Sequence, residues 1–270
     1  MPELPEVEVL RRDLEAEVVG RSVEWAIVSG PRTVRRHDPE ALVARLAGAR
    51  LSGARRAGKY LLLGLDGGPE ALVVHLRMSG QLILSDPAGS RAPHTHAVLR
   101  LSDGRELRFV DPRTFGELFV SSEPPGPMGA DPLDPAWSPA LLGRILAGRQ
   151  ARLKALLMDQ RRLAGLGNIY SDEALFAAGL RFDRLAGSLV RREVARLHGA
   201  IVDTLAAAVA HRGSTLGDGG YVDLYGHPGG HQAHHRVYAR EGRPCGRCAR
   251  PVVRLRLGNR STFLCPACQS

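Results

Sequence analysis

Cysteine is scarce in this chain. There are four in 270 residues, and all of them lie within the last 26. A set so clustered cannot staple a fold along its length, which excludes the disulfide-built secreted domain. No apolar run approaches the ~20 residues that a membrane-spanning helix needs. The N-terminus also lacks the charged-then-apolar order of a signal peptide. These absences predict a cytoplasmic chain with no membrane role. Acidic charge is the minority sign: 28 Asp plus Glu stand against 37 Lys plus Arg, giving +9 and a pI near 10.1. That balance favours a polyanionic partner, nucleic acid before anionic lipid. What remains is a globular composition, 44% hydrophobic and 24% charged, long enough for two domains.

The chain opens Met1-Pro2-Glu3-Leu4. Proline is small enough for an N-terminal peptidase to remove Met1, which leaves a secondary amine beside a carboxylate. A chain-end amine titrates near ~8 and lysine near ~10.4, so its neutral fraction at pH 7 is roughly a hundredfold larger. Such an amine can attack a sugar C1′ and form an iminium without needing burial to lower its pKa. Glu3 lies within reach to move protons. Taken alone, a Met-Pro-Glu start is commonplace; the rest of the chain gives it weight.

Residues 5–19 read as a first helix, with Pro5 in its first turn, Gly20 as its stop, and Val7, Leu10, Leu14 and Val18 on one face. From 22 to 120 the pattern turns to short strands at Ser22–Val28, Ala49–Arg55, Tyr60–Leu65, Leu72–Leu76, Ala97–Leu101 and Glu106–Val110, with one helix at Pro39–Ala47. Turns at Asp66-Gly67-Gly68 and Asp103-Gly104 mark hairpins, and so an antiparallel sandwich carrying the N-terminal helix. Residues 1–120 are thus a first domain and the Pro/Gly-rich 121–137 a linker. Helices follow at Pro139–Ala147, Arg152–Gln160, Ile169–Ala178 and Leu189–His211. The turn between the second and third carries Gly165 and Gly167, and Asn168 reads as an N-cap at a helix start suited to a phosphate. Residues 212–236 are Gly- and His-rich without period, a loop long enough to be functional or disordered. Its His227, His231, His234 and His235 lack a fixed ligand spacing. The helical domain is read as 138–236, including this loop.

The tail, 237–270, holds Cys245-x2-Cys248 and Cys265-x2-Cys268 sixteen residues apart, which is the spacing of one structural zinc per chain. Between them Val253, Leu255 and Leu257 alternate with Arg254 and Arg256 up to a Gly258-Asn259 turn, a basic β-hairpin. Four thiolates leave no open position for substrate.

These residues together resemble the formamidopyrimidine-DNA glycosylase and endonuclease VIII family of bacterial base-excision repair enzymes. The likeness runs nearly the whole length. It rests on Met1-Pro2-Glu3-Leu4-Pro5-Glu6, Gly58-Lys59-Tyr60, His75-Leu76-Arg77-Met78-Ser79-Gly80 and Asp111-Pro112-Arg113-Thr114-Phe115-Gly116. It continues through Asp159-Gln160, Gly165-Leu166-Gly167-Asn168-Ile169-Tyr170 and the closing Cys265-Pro266-Ala267-Cys268-Gln269. Glu3-Leu4-Pro5-Glu6 is closer to the formamidopyrimidine branch. The fold implied is α+β: an N-terminal helix on an antiparallel β-sandwich, a helix-two-turn-helix domain, and a zinc-finger hairpin.

The resemblance implies that Pro2 is the nucleophile, that Glu3 is the proton donor, and that Glu6 shapes the site. Lys59 would act with them at the phosphates flanking the lesion. His75, Lys154, Asn168 and Arg260 would be further contacts to DNA; by itself Lys154 reads as a solvated helix face. Met78, Arg113 and Phe115 would fill the space left by an extruded base, although Met78 and Phe115 alone read as core. The partner would be damaged duplex DNA lying between the domains, met by a monomeric, nucleoid-associated enzyme. The reaction would excise 8-oxoguanine and formamidopyrimidines and then cut by β,δ-elimination. Oxidised pyrimidines as substrates, a non-catalytic damaged-DNA binder and an RNA-binding zinc ribbon are the alternatives. Departures from the family pattern are Ala249 where glycine is usual, the extra Asp218-Gly219-Gly220, and His231-Gln232 in place of Phe-Gln.

Overall fold

The computed structural model describes every residue except Pro31, His37, Pro124, Pro125 and Asp218. Asp218, the first residue of the extra Asp-Gly-Gly, therefore lies outside the described residues. The chain divides into two compact units: residues 1–126 with 211–232, and residues 127–210 with 233–270.

In the first unit α1 (Leu4–Glu17) precedes β1 (Val23–Val28), α2 (Pro39–Leu46), β2 (Leu51–Ala57) and β3 (Tyr60–Leu65). Then come β4 (Ala71–His75), β5 (Gln81–Ser85), β6 (Thr95–Leu101), β7 (Glu106–Val110) and β8 (Glu117–Ser121). All pairings are antiparallel, in two four-stranded sheets ordered β1-β6-β7-β5 and β2-β3-β4-β8. Val7, Leu10 and Leu14 of α1 join Leu63, Leu72 and Val74 of one sheet and Leu99, Leu107 and Phe109 of the other in a single core. This is the expected sandwich with its helix. β5 and β8, which the strand reading omits, are each an outer strand of a sheet and show no alternating burial: β8 buries four of its five residues, β5 only Leu82. Period two, the signal of a half-buried strand, is absent from both.

Residues 211–232 pack with this first unit, although the sequence reading places them in the helical domain. The reason is an ion-pair bridge together with apolar packing. Arg212 bridges Asp13 of α1 (2.5 Å) and Asp223 (2.8 Å), and Tyr221 and Leu224 join the sandwich core. The Leu84 N–H donates to the Leu224 carbonyl, and the Gln81 side chain to that of Gly219, tying the segment to β5.

The second unit holds α3 (Pro139–Leu146), α4 (Leu153–Leu157), α5 (Asn168–Ala178) and α6 (Arg191–Ala210), then the hairpin β9 (Val253–Leu257) and β10 (Arg260–Leu264). Ser138 caps α3 by accepting from Leu141 N–H at 3.3 Å. α4 is shorter than its apolar spacing predicts. Asp159 takes the Arg161 N–H at 3.1 Å, an Asx turn that competes with further helix. The Gln160 amide then braces the following turn, donating to Leu166 O at 2.7 Å and accepting from Gly165 N–H at 2.8 Å. Among the described residues no helix is long and apolar enough to cross a membrane.

Candidate active site and nucleic-acid contacts

Glu3 is the N-cap of α1, and Glu6 is the third residue of the helix. The two form a reciprocal capping box, with the Glu3 N–H donating to Glu6 Oε2 at 2.8 Å. Pro2, Glu3 and Glu6 are all buried, at the positive end of the helix. Glu6 spends its second oxygen elsewhere: Oε1 accepts from Ser214 N–H at 2.8 Å, the start of the long loop. Gly213 makes that approach possible. Its φ is +78°, and a Cβ there would stand 2.9 Å from the Glu6 side chain and 3.0 Å from Tyr221. Burial, with the nearby Glu6 carboxylate second, drives the Tyr221 hydroxyl well above its ordinary pKa. The loop is ordered by its own polar groups. Thr215 Oγ1 donates to Tyr221 O and accepts from Gly229 N–H, while Gln232 accepts from Thr215 N–H and donates to Gly229 O. His231 is buried, its ring 5.5 Å from that of His211.

Lys59 occupies the two-residue turn joining β2 to β3. Gly58 supplies the positive φ (+56°) at the first turn position, the arrangement of a II′ hairpin. His75 ends β4 opposite Tyr60, with the rings edge-on at 4.3 Å, so Lys59 and His75 share one end of the sheet. Burial, then the Arg77 and Lys59 charges, hold the His75 ring at a pKa of about 3. Its Nδ1 accepts from Arg77 N–H at 3.0 Å, so the neutral ring carries its proton on Nε2 as a donor.

Met78 and Phe115 are not core residues. They are 43% and 51% exposed, and Arg113 is exposed with them, on the loops after β4 and β7. Isolated large apolar tips on a basic protein suit insertion between bases.

In the second unit the sequence reading needs two corrections. The N-cap of α5 is Gly167, not Asn168, which is the first helical residue. The Asn168 side chain instead donates from Nδ2 to Ser261 O at 3.1 Å on the finger hairpin. Lys154 does not lie on a solvated helix face. It is 0% exposed, ion-paired to Asp172 at 2.7 Å and bonded to Thr262 Oγ1 at 2.9 Å. Burial pushes the Asp172 carboxyl upward against the pull of that ammonium, and its other oxygen accepts from Phe263 N–H at 2.9 Å. Arg260 opens β10 and is exposed, one residue from the Asn168 contact. The reading missed Asp172 and Glu173. Glu173 takes the N–H groups of Arg236, Val237 and Tyr238. The available signal is a pair of adjacent carboxylates, Asp172 and Glu173, in a helix that is mostly apolar after them.

The four cysteine sulfurs lie within 4.8 Å of one another, and they are the one cluster of this kind among the described residues; the loop histidines form none. Cys245 to Cys268 is 3.9 Å and Cys248 to Cys265 is 3.5 Å. Tetrahedral zinc with Zn–S near ~2.3 Å needs sulfurs about 3.8 Å apart, so the set fits one structural zinc and no disulfide. Ala249, closing the first knuckle, has φ +61°, which explains why glycine suits that position.

The comparisons agree along the whole chain. Residues 1–118 match the formamidopyrimidine-DNA glycosylase N-terminal domain, 128–218 its H2TH domain, and 242–270 the zinc finger found in FPG and IleRS. A formamidopyrimidine-DNA glycosylase of Moorella thermoacetica is 47% identical over 95% of each chain, and that of Geobacillus kaustophilus is 42% identical over the full length of both. The crystal structure of MutM (Fpg) from Thermus thermophilus superposes with TM-score 0.88 at 43% identity, covering 99% and 98% of the two chains. Lactococcus lactis Fpg in complex with abasic-site DNA superposes at 0.89 with 30% identity and 99% coverage of both. The chain belongs to the formamidopyrimidine-DNA glycosylase family.

Proposed function

We propose that the protein is a bifunctional DNA glycosylase and abasic-site lyase that removes oxidised purines from duplex DNA in base-excision repair. Once Met1 is removed, the Pro2 nitrogen attacks C1′ of the damaged nucleotide. Glu3 gives a proton to the ring oxygen, C1′ loses the base, and the opened sugar is held on Pro2 as an iminium. The iminium acidifies the C2′ hydrogen. Its removal expels the 3′ phosphate, and a second elimination expels the 5′ phosphate, leaving a one-nucleotide gap.

The observation that carries this reading is the shortage of other amines. The chain has two lysines, Lys59 and Lys154, and Lys154 is fully buried in an ion pair with Asp172. Of the amines left, the chain end beside the buried Glu3 is favoured over Lys59, because the neutral fraction of a chain-end amine at pH 7 is roughly a hundredfold larger than that of a lysine.

Lys59, Asn168 and Arg260 act on the flanking phosphates with neutral His75 as a hydrogen-bond donor. Met78, Arg113 and Phe115 take the place of the extruded base. Zinc, held by Cys245, Cys248, Cys265 and Cys268, supports the hairpin that carries Arg260. The names of the relatives favour formamidopyrimidines as substrates, with 8-oxoguanine beside them. Their bacterial sources favour work on cytoplasmic DNA, and the monomer follows the family resemblance.

The test is incision of duplexes that each carry one lesion opposite each of the four bases. Preferred cutting at oxidised purines supports the reading. Preferred cutting at oxidised pyrimidines redirects it to the other lesion class, and binding without incision leaves only a damaged-DNA binder.

A further inference from the structure

The loop carrying Met78 and the loop carrying Arg113 and Phe115 are held by one side chain. Asp111 is fully buried, and every polar atom it has is bonded. Oδ1 accepts from Ser79 Oγ at 2.6 Å and from Arg113 N–H at 3.2 Å, and Oδ2 accepts from Gly116 N–H at 2.7 Å. Its N–H donates to His94 O, while its carbonyl accepts from Thr114 N–H and His96 Nε2. The carboxylate thus grips the residue after Met78 and both ends of the Arg113–Phe115 stretch, across 32 residues of sequence.

The loop shapes need such a grip. Arg77 (φ +52°) and Thr114 (φ +54°) adopt left-handed backbone beside the exposed tips, a conformation that is strained for a residue with a Cβ. Both loops are also tight against the protein. A Cβ at Gly80 would stand 2.6 Å from Leu76 O, and one at Gly116 would stand 2.5 Å from the Phe109 ring and 3.1 Å from Asp111 Oδ2. Only the backbone of Arg113 is engaged by Asp111, so its exposed guanidinium stays available to an unpaired base.

We propose that Asp111 is the positioning residue of the wedge, its buried carboxylate fixing the two tips at one spacing so that they enter the base stack as a preformed unit. This rests on the proposed role of Met78, Arg113 and Phe115, the wedge that takes the place of the extruded base. Extruding a nucleotide already costs unstacking and unpairing energy. Ordering loose tips at the same moment would add their conformational entropy to that cost.

The test compares borohydride trapping at an abasic site in duplex and in single-stranded DNA. The chemistry is shared, and only the duplex must be opened. Ser79→Ala should slow duplex trapping about tenfold and Asp111→Ala about a hundredfold, matching one and several charge-assisted hydrogen bonds. Asp111→Asn should fall between, because its NH2 would face the Gly116 N–H. Single-strand trapping should stay within about twofold of wild type for all three, since no stack is opened there. Ser79→Ala leaves the carboxylate two N–H donors and keeps the test valid should Asp111→Ala fail to fold. Duplex rates unchanged in Ser79→Ala and Asp111→Asn, or equal losses on both substrates, would overturn the proposal. The double variant M78A/F115A separates the two claims. A wild-type duplex rate there overturns the wedge itself, whereas a slow rate beside a normal Asp111→Asn overturns only the role of Asp111.

Discussion

His75 shows how far a residue's surroundings can move it from its textual identity. In solution a histidine takes a proton near pH 6.5, but here burial and two neighbouring cations delay that to about pH 3. Between those values the unfolded chain binds a proton that the folded chain refuses, so folding stability rises with pH across the window. The urea midpoint of the wild type should therefore fall on acidification from pH 7 to 4.5 more steeply than that of His75→Gln; parallel curves would contradict the assignment. The same neutrality separates His75 from Arg260 in DNA binding. Removing a cation at a phosphate lowers the slope of log K against log salt by about 1. Arg260→Ala should show that change, measured by titrating an abasic-site duplex at several salt concentrations. His75→Gln should weaken binding and leave the slope unaltered.

Among the elements, the pairing of α4 and α5 with the finger hairpin depends on a few buried polar side chains. Lys154 and Asp172 meet at 2.7 Å without solvent, and between them they bond Thr262 and Phe263 of β10. Removing one member of a buried pair strands the other, at about 3–5 kcal/mol. Lys154→Ala should lose that much in urea unfolding of the zinc-loaded protein; a loss under about 1 kcal/mol would show that the pair is dispensable.

This is also where sequence reading met its limit. Helices and central strands were legible because periodic burial writes itself into apolar spacing, as at Val7, Leu10 and Leu14. Lys154 was not, because a helix face turned toward a partner carboxylate reads the same as one turned to water. Asn168 was misread as a cap because its amide bonds a strand 93 residues away. Asp111 stood in plain view without a role. Only the fold reveals that Ser79, Arg113 and Gly116 converge on it.

For the whole molecule the sequence was more telling, because charge, zinc spacing and the chain start are properties of composition and order rather than of packing. The excess of +9 is carried almost wholly by arginine, which suits phosphate contacts and leaves the protein poor in competing amines. The four cysteine sulfurs met as their spacing required. The Pro2–Glu3–Glu6 cluster sits at a buried helix start, where Ser214 of the long loop joins it. The loop itself was beyond sequence reading, since its place follows from Arg212, Tyr221 and Leu224 rather than from any period.

The central claim is that the chain-end nitrogen of Pro2 forms the bond to the sugar. Mass spectrometry of the borohydride-trapped protein–DNA adduct after trypsin digestion tests it directly. The account predicts the sugar on the peptide running from Pro2 to Arg11, with Met1 gone. An adduct mapped to Lys59 or Lys154, or a fully active protein that retains Met1, would contradict it.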